Sequence, residues 1–410
     1  MSDATSHRPD SRQSWVRLMI SLALSTIGGI GLWSAVVVLP TIQQEFGIDR
    51  AGASLPYTVT TIGFAIGGVL MGRIADRFGI IVPLFIGAIS LGLGFILAGL
   101  SGSYVQFLMA QALLIGMLGN STTFGPLVAD VSQWFLRRRG IAVAIVASGN
   151  YLAGAIWPPF LQSAIETFGW RHSYMVIGAL CMVTMVPLAL LLKARPHFDD
   201  RASPASGAGG GGLLPKPAFL YPLLVLAGLC CCVAMSMPQV HIVAYCADLG
   251  YGPARGAEML SLMLGFGVVS RLASGFIADR IGGVGTLIMG SALQAMALLF
   301  YIPFDGLASL YIVSAMFGLS QGGIVPSYAL IIRDHFPARE AGARISLVLT
   351  ATVLGMALGG WMTGKIFDLT GSYQAAFLNG IAWNLVNLGI AIWLLRARMG
   401  GRTRPQPATA

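Results

Sequence analysis

The sequence predicts an all-α integral membrane protein. Three observations carry this: too few charges to coat a water-facing surface, a dozen apolar runs of membrane-spanning length, and basic residues confined to alternate connections. Of the 410 residues, 56% are apolar and only 10% charged, whereas a soluble domain carries about 25% charged residues. Glycine is abundant, at 53 residues, and small residues let membrane helices pack backbone to backbone. The pairs Gly63/Gly67, Gly68/Gly72, Gly355/Gly359 and Gly360/Gly364 have the spacing for that packing.

Runs of roughly 20 apolar residues are needed to cross a bilayer as helix, and all twelve read as helices because an open strand would leave unpaired backbone groups in hydrocarbon. The first six cover 15–39, 53–71, 80–100, 104–129, 141–165 and 173–192. The fourth carries Gly119-Asn120-Ser121-Thr122-Thr123 halfway along, and the fifth carries Asn150 and Tyr151. The second six cover 219–245, 257–278, 284–304, 307–332, 345–365 and 375–395. Here the polar insertions are His241 in the seventh, Arg271 in the eighth, and Gln321 and Tyr328 in the tenth. Every Asp and Glu reads as lying at a helix end or in a connection. Between the sixth and seventh runs, the Pro-, Gly- and Ser-rich stretch ASPASGAGGGG cannot hold a packed structure. The expected organisation is therefore a six-helix bundle over 1–193, a flexible cytoplasmic linker over 194–217, and a second six-helix bundle over 218–410 with a short cytoplasmic tail.

Orientation follows from the basic residues. With the N-terminus inside, twenty of them fall on inner connections and only Arg50, Arg171, Arg255 and Lys365 on outer ones. Both termini are expected in the cytoplasm, and no cleavable signal peptide precedes the first run. The net charge of +9 is spent on this topology, so nucleic acid is not an expected partner. The five cysteines lie inside apolar runs without metal-ligand spacing, and no cofactor is expected. A nucleotide-driven pump would need a GxxxxGK[ST] loop, and a membrane enzyme a cluster of catalytic groups; neither pattern is present.

A repeat organises the chain. Gly72-Arg73-Ile74-Ala75-Asp76-Arg77-Phe78-Gly79 follows the second run and Gly275-Phe276-Ile277-Ala278-Asp279-Arg280-Ile281-Gly282 follows the eighth, 203 residues later. Repeated halves of this kind place a transport site at their interface. The GxxxDRxG pattern at these two inner connections resembles the signature of the major facilitator superfamily, although Ile80 and Ile81 stand where basic residues usually follow. The resemblance implies that Gly72, Asp76, Arg77, Gly275, Asp279 and Arg280 act in gating; on residue chemistry alone, the charges could equally anchor topology. The segment Trp134-Phe135-Leu136-Arg137-Arg138-Arg139-Gly140, entering the fifth helix, is similar to the corresponding segment of monocarboxylate transporters and the related oxalate:formate antiporters. The Asp/Glu-Gly-Gly-Trp segment of animal members is absent, which is consistent with a bacterial inner-membrane protein.

Arg271 is the one basic residue on neither side. It lies about 12 Å along the helix from Asp279, at a depth where a charge costs on the order of 3 kcal/mol and normally faces a cavity. Its planar fork suits a carboxylate, and the resemblance implies the same anchoring role. The resemblance further implies a site lined by Asn120, Tyr151, Tyr328 and His241. Oxalate:formate antiporters add a lysine in the eleventh helix; here that helix reads LVLTATVLGMALGG and Lys365 comes only at its end. One cation matches one carboxylate. The expected function is secondary active transport of a small lactate- or pyruvate-like monocarboxylate, with protons as co-substrate and the bilayer as solvent, by a monomer. An exchanger or exporter of bulkier anions on the same fold is the competing expectation.

Overall fold

The computed structural model describes residues 10–193, 217–336 and 338–402. Among them there is no strand, and eleven helical stretches are long and apolar enough to span a bilayer. They are α1 (Arg12–Val37), α2 (Arg50–Phe78), α3 (Ile81–Gly99), α4 (Tyr104–Trp134), α5 (Arg139–Phe168), α6 (Trp170–Leu191), α7 (Phe219–Asp248), the stretch Pro253–Phe300, α10 (Leu307–His335), α11 (Glu340–Thr370) and α12 (Tyr373–Ala397). Pro253–Phe300 holds 48 residues. At 1.5 Å each they reach about 72 Å, more than twice the hydrocarbon thickness. Gly282 divides it with φ 76° and ψ 168°, giving α8 (253–281) and α9 (283–300) and the twelve crossings that the sequence predicts. The linker expected over 194–217 lies outside the described residues apart from Pro217.

The two signature segments are not loops, as the sequence suggests, but the last turns of α2 and α8. The chain leaves the helix only at Gly79 (φ 85°, ψ 166°) and Gly282 (φ 76°, ψ 168°). Both lie in a region of positive φ that side-chain-bearing residues rarely enter, so the repeat is a matched pair of helix stops. Of the glycine pairs, Gly360 and Gly364 face α2: a Cβ would lie 3.2 Å from the Tyr57 ring at the first and 2.7 Å from the Arg50 carbonyl at the second. Gly68 and Gly72 face open space. Small residues thus bring α11 of the second half onto α2 of the first. One apolar core is built wholly from residues 18–192, and Trp33, Tyr57 and Tyr151 reach across into the other.

The aromatic-basic segment before α5 gains a physical role. Arg17 and Asp130 are both buried, and the guanidinium binds the carboxylate through Nε at 2.7 Å and Nη2 at 2.8 Å. Trp134 lies 4.5 Å beneath the same guanidinium, and Phe135 meets Trp15 edge-on at 5.2 Å. Asp10 accepts the backbone N–H groups of Leu136, Arg137 and Arg138 at 3.0–3.3 Å. Its slight burial raises the carboxyl pKa, but those three N–H groups outweigh that and hold it below the usual value. Asp130 lies one turn from the end of α4, in keeping with carboxylates placed near helix ends. Removing one member of a buried pair strands the other, at a cost of about 3–5 kcal/mol. Asp130→Ala should therefore lower the thermal midpoint of the detergent-purified protein by several degrees. The double replacement Arg17→Met/Asp130→Leu should recover most of that loss; a single variant that melts like the parent would show the pair to be dispensable.

Candidate functional site

Arg271 lies where α8 meets α5 and α10. Its Nη1–H donates to the Ala147 carbonyl at 2.9 Å, and the guanidinium stands 4.5 Å from the Tyr151 ring centroid. Its Nε is buried without a hydrogen-bond partner, and no ion pair reaches Arg271 among the described residues. The cation is therefore held by a carbonyl and a ring from the first half while part of its donor fork stays unused.

The backbone around it is shaped for this. Helix α10 is interrupted at Gly322–Gly323, after Gln321 and before Ile324. Ser270, the neighbour of Arg271, donates its hydroxyl to Leu319 O at 2.6 Å and accepts Gly322 N–H at 3.2 Å. A Cβ at Gly322 would lie 2.3 Å from the Arg271 amide nitrogen. Gln321 accepts the Gln239 amide of α7, and a Cβ at Gly267 would meet both Gln321 and the Tyr151 ring at 3.1 Å.

The other residues expected at the site make no contact with the Arg271 guanidinium among the described residues. Asn120 is buried in the first half against Gly31 of α1, and its side chain accepts from Thr123 at 3.4 Å within its own turn. That tight turn, Asn120–Thr123, follows π-type turns over Ala110–Gly119, and together they break α4. Asn150 likewise turns toward α1 at Gly29. Tyr328 points into the second half: its hydroxyl donates to Asn387 at 2.9 Å, and Asn387 in turn donates to Ser291 at 2.7 Å. The structure brings Tyr151, but not Asn120, Tyr328 or His241, onto the Arg271 guanidinium.

His241 belongs to a second polar cluster, at the end of the molecule where α2 begins. Arg50 is buried there and donates through Nη2 to both Asp248 oxygens at 2.9 Å and through Nη1 to the Tyr373 hydroxyl at 3.2 Å. Its guanidinium also covers the Phe367 ring at 4.8 Å. The Asp368 carboxylate accepts the Arg50 and Ala51 backbone N–H groups, each at 2.8 Å, and so caps α2 from α11. His241 faces Gly360 O through Nε2 at 2.8 Å and the Tyr373 hydroxyl through Nδ1 at 3.4 Å. A carbonyl can only accept, so Nε2 carries a proton, and in a neutral imidazole Nδ1 is then the acceptor. The sequence treats Arg50 only as a stray outer charge. Its departure from the positive-inside pattern was the available signal that it needs partners.

At the opposite end, Asp76, Arg77, Asp279 and Arg280 are exposed. No ion pair joins them to any described residue, and a Cβ at Gly72 or Gly275 would meet nothing within 4 Å. The two halves are thus tied at the Arg50 end and through the Arg271 level, while the signature segments stand apart.

Twelve helices in repeated halves, tied at one end around a deep guanidinium, define a membrane transporter. The chain belongs to the Major Facilitator Superfamily, whose sequence profile matches residues 21–328 and 287–410. It resembles the monocarboxylate transporter family: it is 27% identical to monocarboxylate transporter 13 of Bos taurus over 386 residues, covering 89% of this chain and 90% of that protein. It is also 23% identical to the agnestins efflux protein AgnL12 of Paecilomyces divaricatus over 406 residues, covering 97% of this chain and 92% of that one. In fold it is similar to a solved bacterial homologue of the human lysosomal transporter Spinster in an inward-facing, occupied conformation. That match has a TM-score of 0.69 at 15% identity and covers 97% of this chain and 99% of the other.

The contact of α10 with α8 is directly testable. Gly322→Ala forces backbone apart beside Arg271 and should destabilise by about 1–3 kcal/mol, as overpacking does. Gly68→Ala, in open space, should leave the thermal midpoint unchanged or raise it slightly through helix propensity. Equal melting of the two variants would contradict the packing described.

Proposed function

We propose that this protein is a secondary active transporter of a small monocarboxylate of the lactate or pyruvate type, with a proton as co-substrate. The observation that carries the reading is Arg271: a deep, uncompensated guanidinium whose Nη1 is engaged by Ala147 and whose Nε is free. A guanidinium edge with parallel donors suits one carboxylate. Tyr151 steadies the cation from its ring face, worth roughly 0.5–2 kcal/mol. Asn120 and Tyr328 act at one remove, shaping the turn of α4 and bracing α10. The resemblance to monocarboxylate transporter 13 over nine-tenths of both chains supports the substrate class.

Both termini face the cytoplasm of a bacterial inner membrane in this reading, so the Arg50 end is outside and the signature segments are inside. The chain works as a monomer of two six-helix bundles. Asp76–Arg77 and Asp279–Arg280 engage when the inner end closes, as the counterpart of the Arg50 cluster. Entry of a monoanion against 100 mV, inside negative, costs about 2.3 kcal/mol, and a proton carried along cancels that charge.

The test is uptake of labelled acids into proteoliposomes. Lactate or pyruvate should enter and outcompete oxalate, driven by an inward proton gradient. Arg271→Ala should abolish uptake, and Arg271→Lys should lose at least about tenfold, since an ammonium lacks the planar fork. Oxalate preferred over both monoanions, or full activity of Arg271→Lys, would defeat the assignment. The similarity to AgnL12, named as an efflux protein, favours a second reading as an exporter of bulkier anions. Strong competition by large hydrophobic anions, together with proton-independent exchange, would establish that one instead.

A further inference from the structure

We infer that the Arg50 cluster is the latch that keeps this end of the transporter closed, and that His241 releases it by taking up a proton. The inference rests on the transporter reading but not on its substrate. Three features support a latch rather than a static brace. The cluster joins the two halves: Arg50 and Ala51 come from α2, Asp248 from α7, Asp368 from α11 and Tyr373 from α12. Its bonds to carboxylates are charge-assisted: Arg50 Nη2 reaches both Asp248 oxygens, and Asp368 takes two backbone N–H groups. The contact closes without intervening side chains, because at Gly364 a Cβ would sit within 2.9 Å of the Arg50 and Ala51 backbone. One further cross-half bond, from Thr58 Oγ1 to Ala357 O at 3.1 Å, lies two turns below. Separating α2 from α11 would break all of these together.

The trigger follows from hydrogen-bond bookkeeping around His241, which is buried. With a neutral imidazole, the closed state has Nε2 donating to Gly360 O and Nδ1 accepting from the Tyr373 hydroxyl, whose oxygen accepts from Arg50 Nη1. The ring therefore stands no more than about 7 Å from a guanidinium nitrogen, a range at which two charges interact strongly away from water. A proton added at Nδ1 has two consequences. The Tyr373 O–H loses its acceptor and must turn away, and an imidazolium then shares the Tyr373 oxygen with Arg50. The charged and titratable groups facing this point are Arg50 from α2, Tyr245 and Asp248 from α7, Asp368 from α11 and Tyr373 from α12. Neither carboxylate is spare: Asp248 is held by Arg50 Nη2, and Asp368 by the backbone of Arg50 and Ala51. An imidazolium brings the formal charge of the cluster to zero, but it is buried with neither carboxylate hydrogen-bonded to it and with Arg50 beside it; both costs are relieved when α2 and its guanidinium withdraw and water enters.

The experiment needs no substrate. Spin labels at the exposed positions Gln44 and Gln374, one on each side of the latch, report its opening as a distance distribution in nanodiscs. At pH 8 the wild type should show mainly the short distance, and at pH 5.5 the long-distance population should rise by about tenfold. Arg50→Ala should show the long distance at both pH values; the milder Arg50→Lys, which keeps the charge but loses the fork, should be intermediate. His241→Gln, whose amide can still donate to Gly360 O, should stay short at both. An Arg50→Ala or Arg50→Lys distribution identical to the wild type's overturns the latch. A wild type indifferent to pH, or a His241→Gln protein with the wild-type response, overturns the trigger. Failure of the uptake panel would remove the monocarboxylate reading without changing any of these distances.

Discussion

Everything in this molecule answers to one constraint: in hydrocarbon, each backbone N–H and C=O must find its partner inside the protein. Twelve helices satisfy it almost everywhere, so the places where a helix is interrupted are informative. Among the described residues there are four inside the membrane-spanning helices: the wide and then tight turns of α4 up to Thr123, the bend of α1 at Gly29, the turn of α5 at Ser148, and the break of α10 at Gly322–Gly323. Each is patched by a neighbour or by its own hydroxyls. Thr122 and Thr123 donate to carbonyls of their own turn, and Ser270 serves both sides of the α10 break. That last patch fixes α8 against α10 one residue before Arg271, so satisfying the backbone also positions the cation.

The same constraint sorts the charges. Arg17 and Arg50, both buried, are matched with carboxylates, Arg17 through Nε and Nη2 and Arg50 through Nη2 alone. Arg271 departs from this pattern, being matched with a carbonyl and an aromatic face. A carbonyl dipole and a ring quadrupole steady a guanidinium without neutralising it, so the positive charge remains available. That is the electrical requirement for binding an anion reversibly: a carboxylate partner would have to be displaced by each substrate, whereas Ala147 and Tyr151 need not be.

The fold was readable in the sequence because lipid imposes a coarse rule, long apolar runs with basic residues on one side, that needs no knowledge of packing. Arg271 and Tyr151 were readable for a related reason, since a lone charge at depth and a neighbouring polar ring are anomalies within a single run. The Arg50 cluster was not, because its members are ordinary residues at helix ends. Asp248 and Asp368 stand 198 and 318 positions from their partner. Arg17 and Asp130, 113 apart, escaped for the same reason. Asn120, Tyr328 and His241 share a different difficulty. A polar residue inside a run announces that it has a partner without saying whether that partner is a ligand, and here each has found one within the protein.

The asymmetry between the two ends gives the arrangement its direction. At the Arg50 end the attraction between halves is concentrated in one cluster built on the buried Arg50, while at the other end the Asp76 and Asp279 turns are exposed and share no ion pair among the described residues. Glycine stops at Gly79 and Gly282 end α2 and α8 in the same conformation, so the two signature carboxylates occupy equivalent positions. In the proposed cycle, pairing of Asp76–Arg77 with Asp279–Arg280 competes with the Arg50 cluster, each state forming its own set of bonds as it loses the other. The state described here is the one in which the Arg50 set is made. In the proposed cycle, the guanidinium at the level between the two sets is reached from the Asp76 side while the Arg50 set is intact.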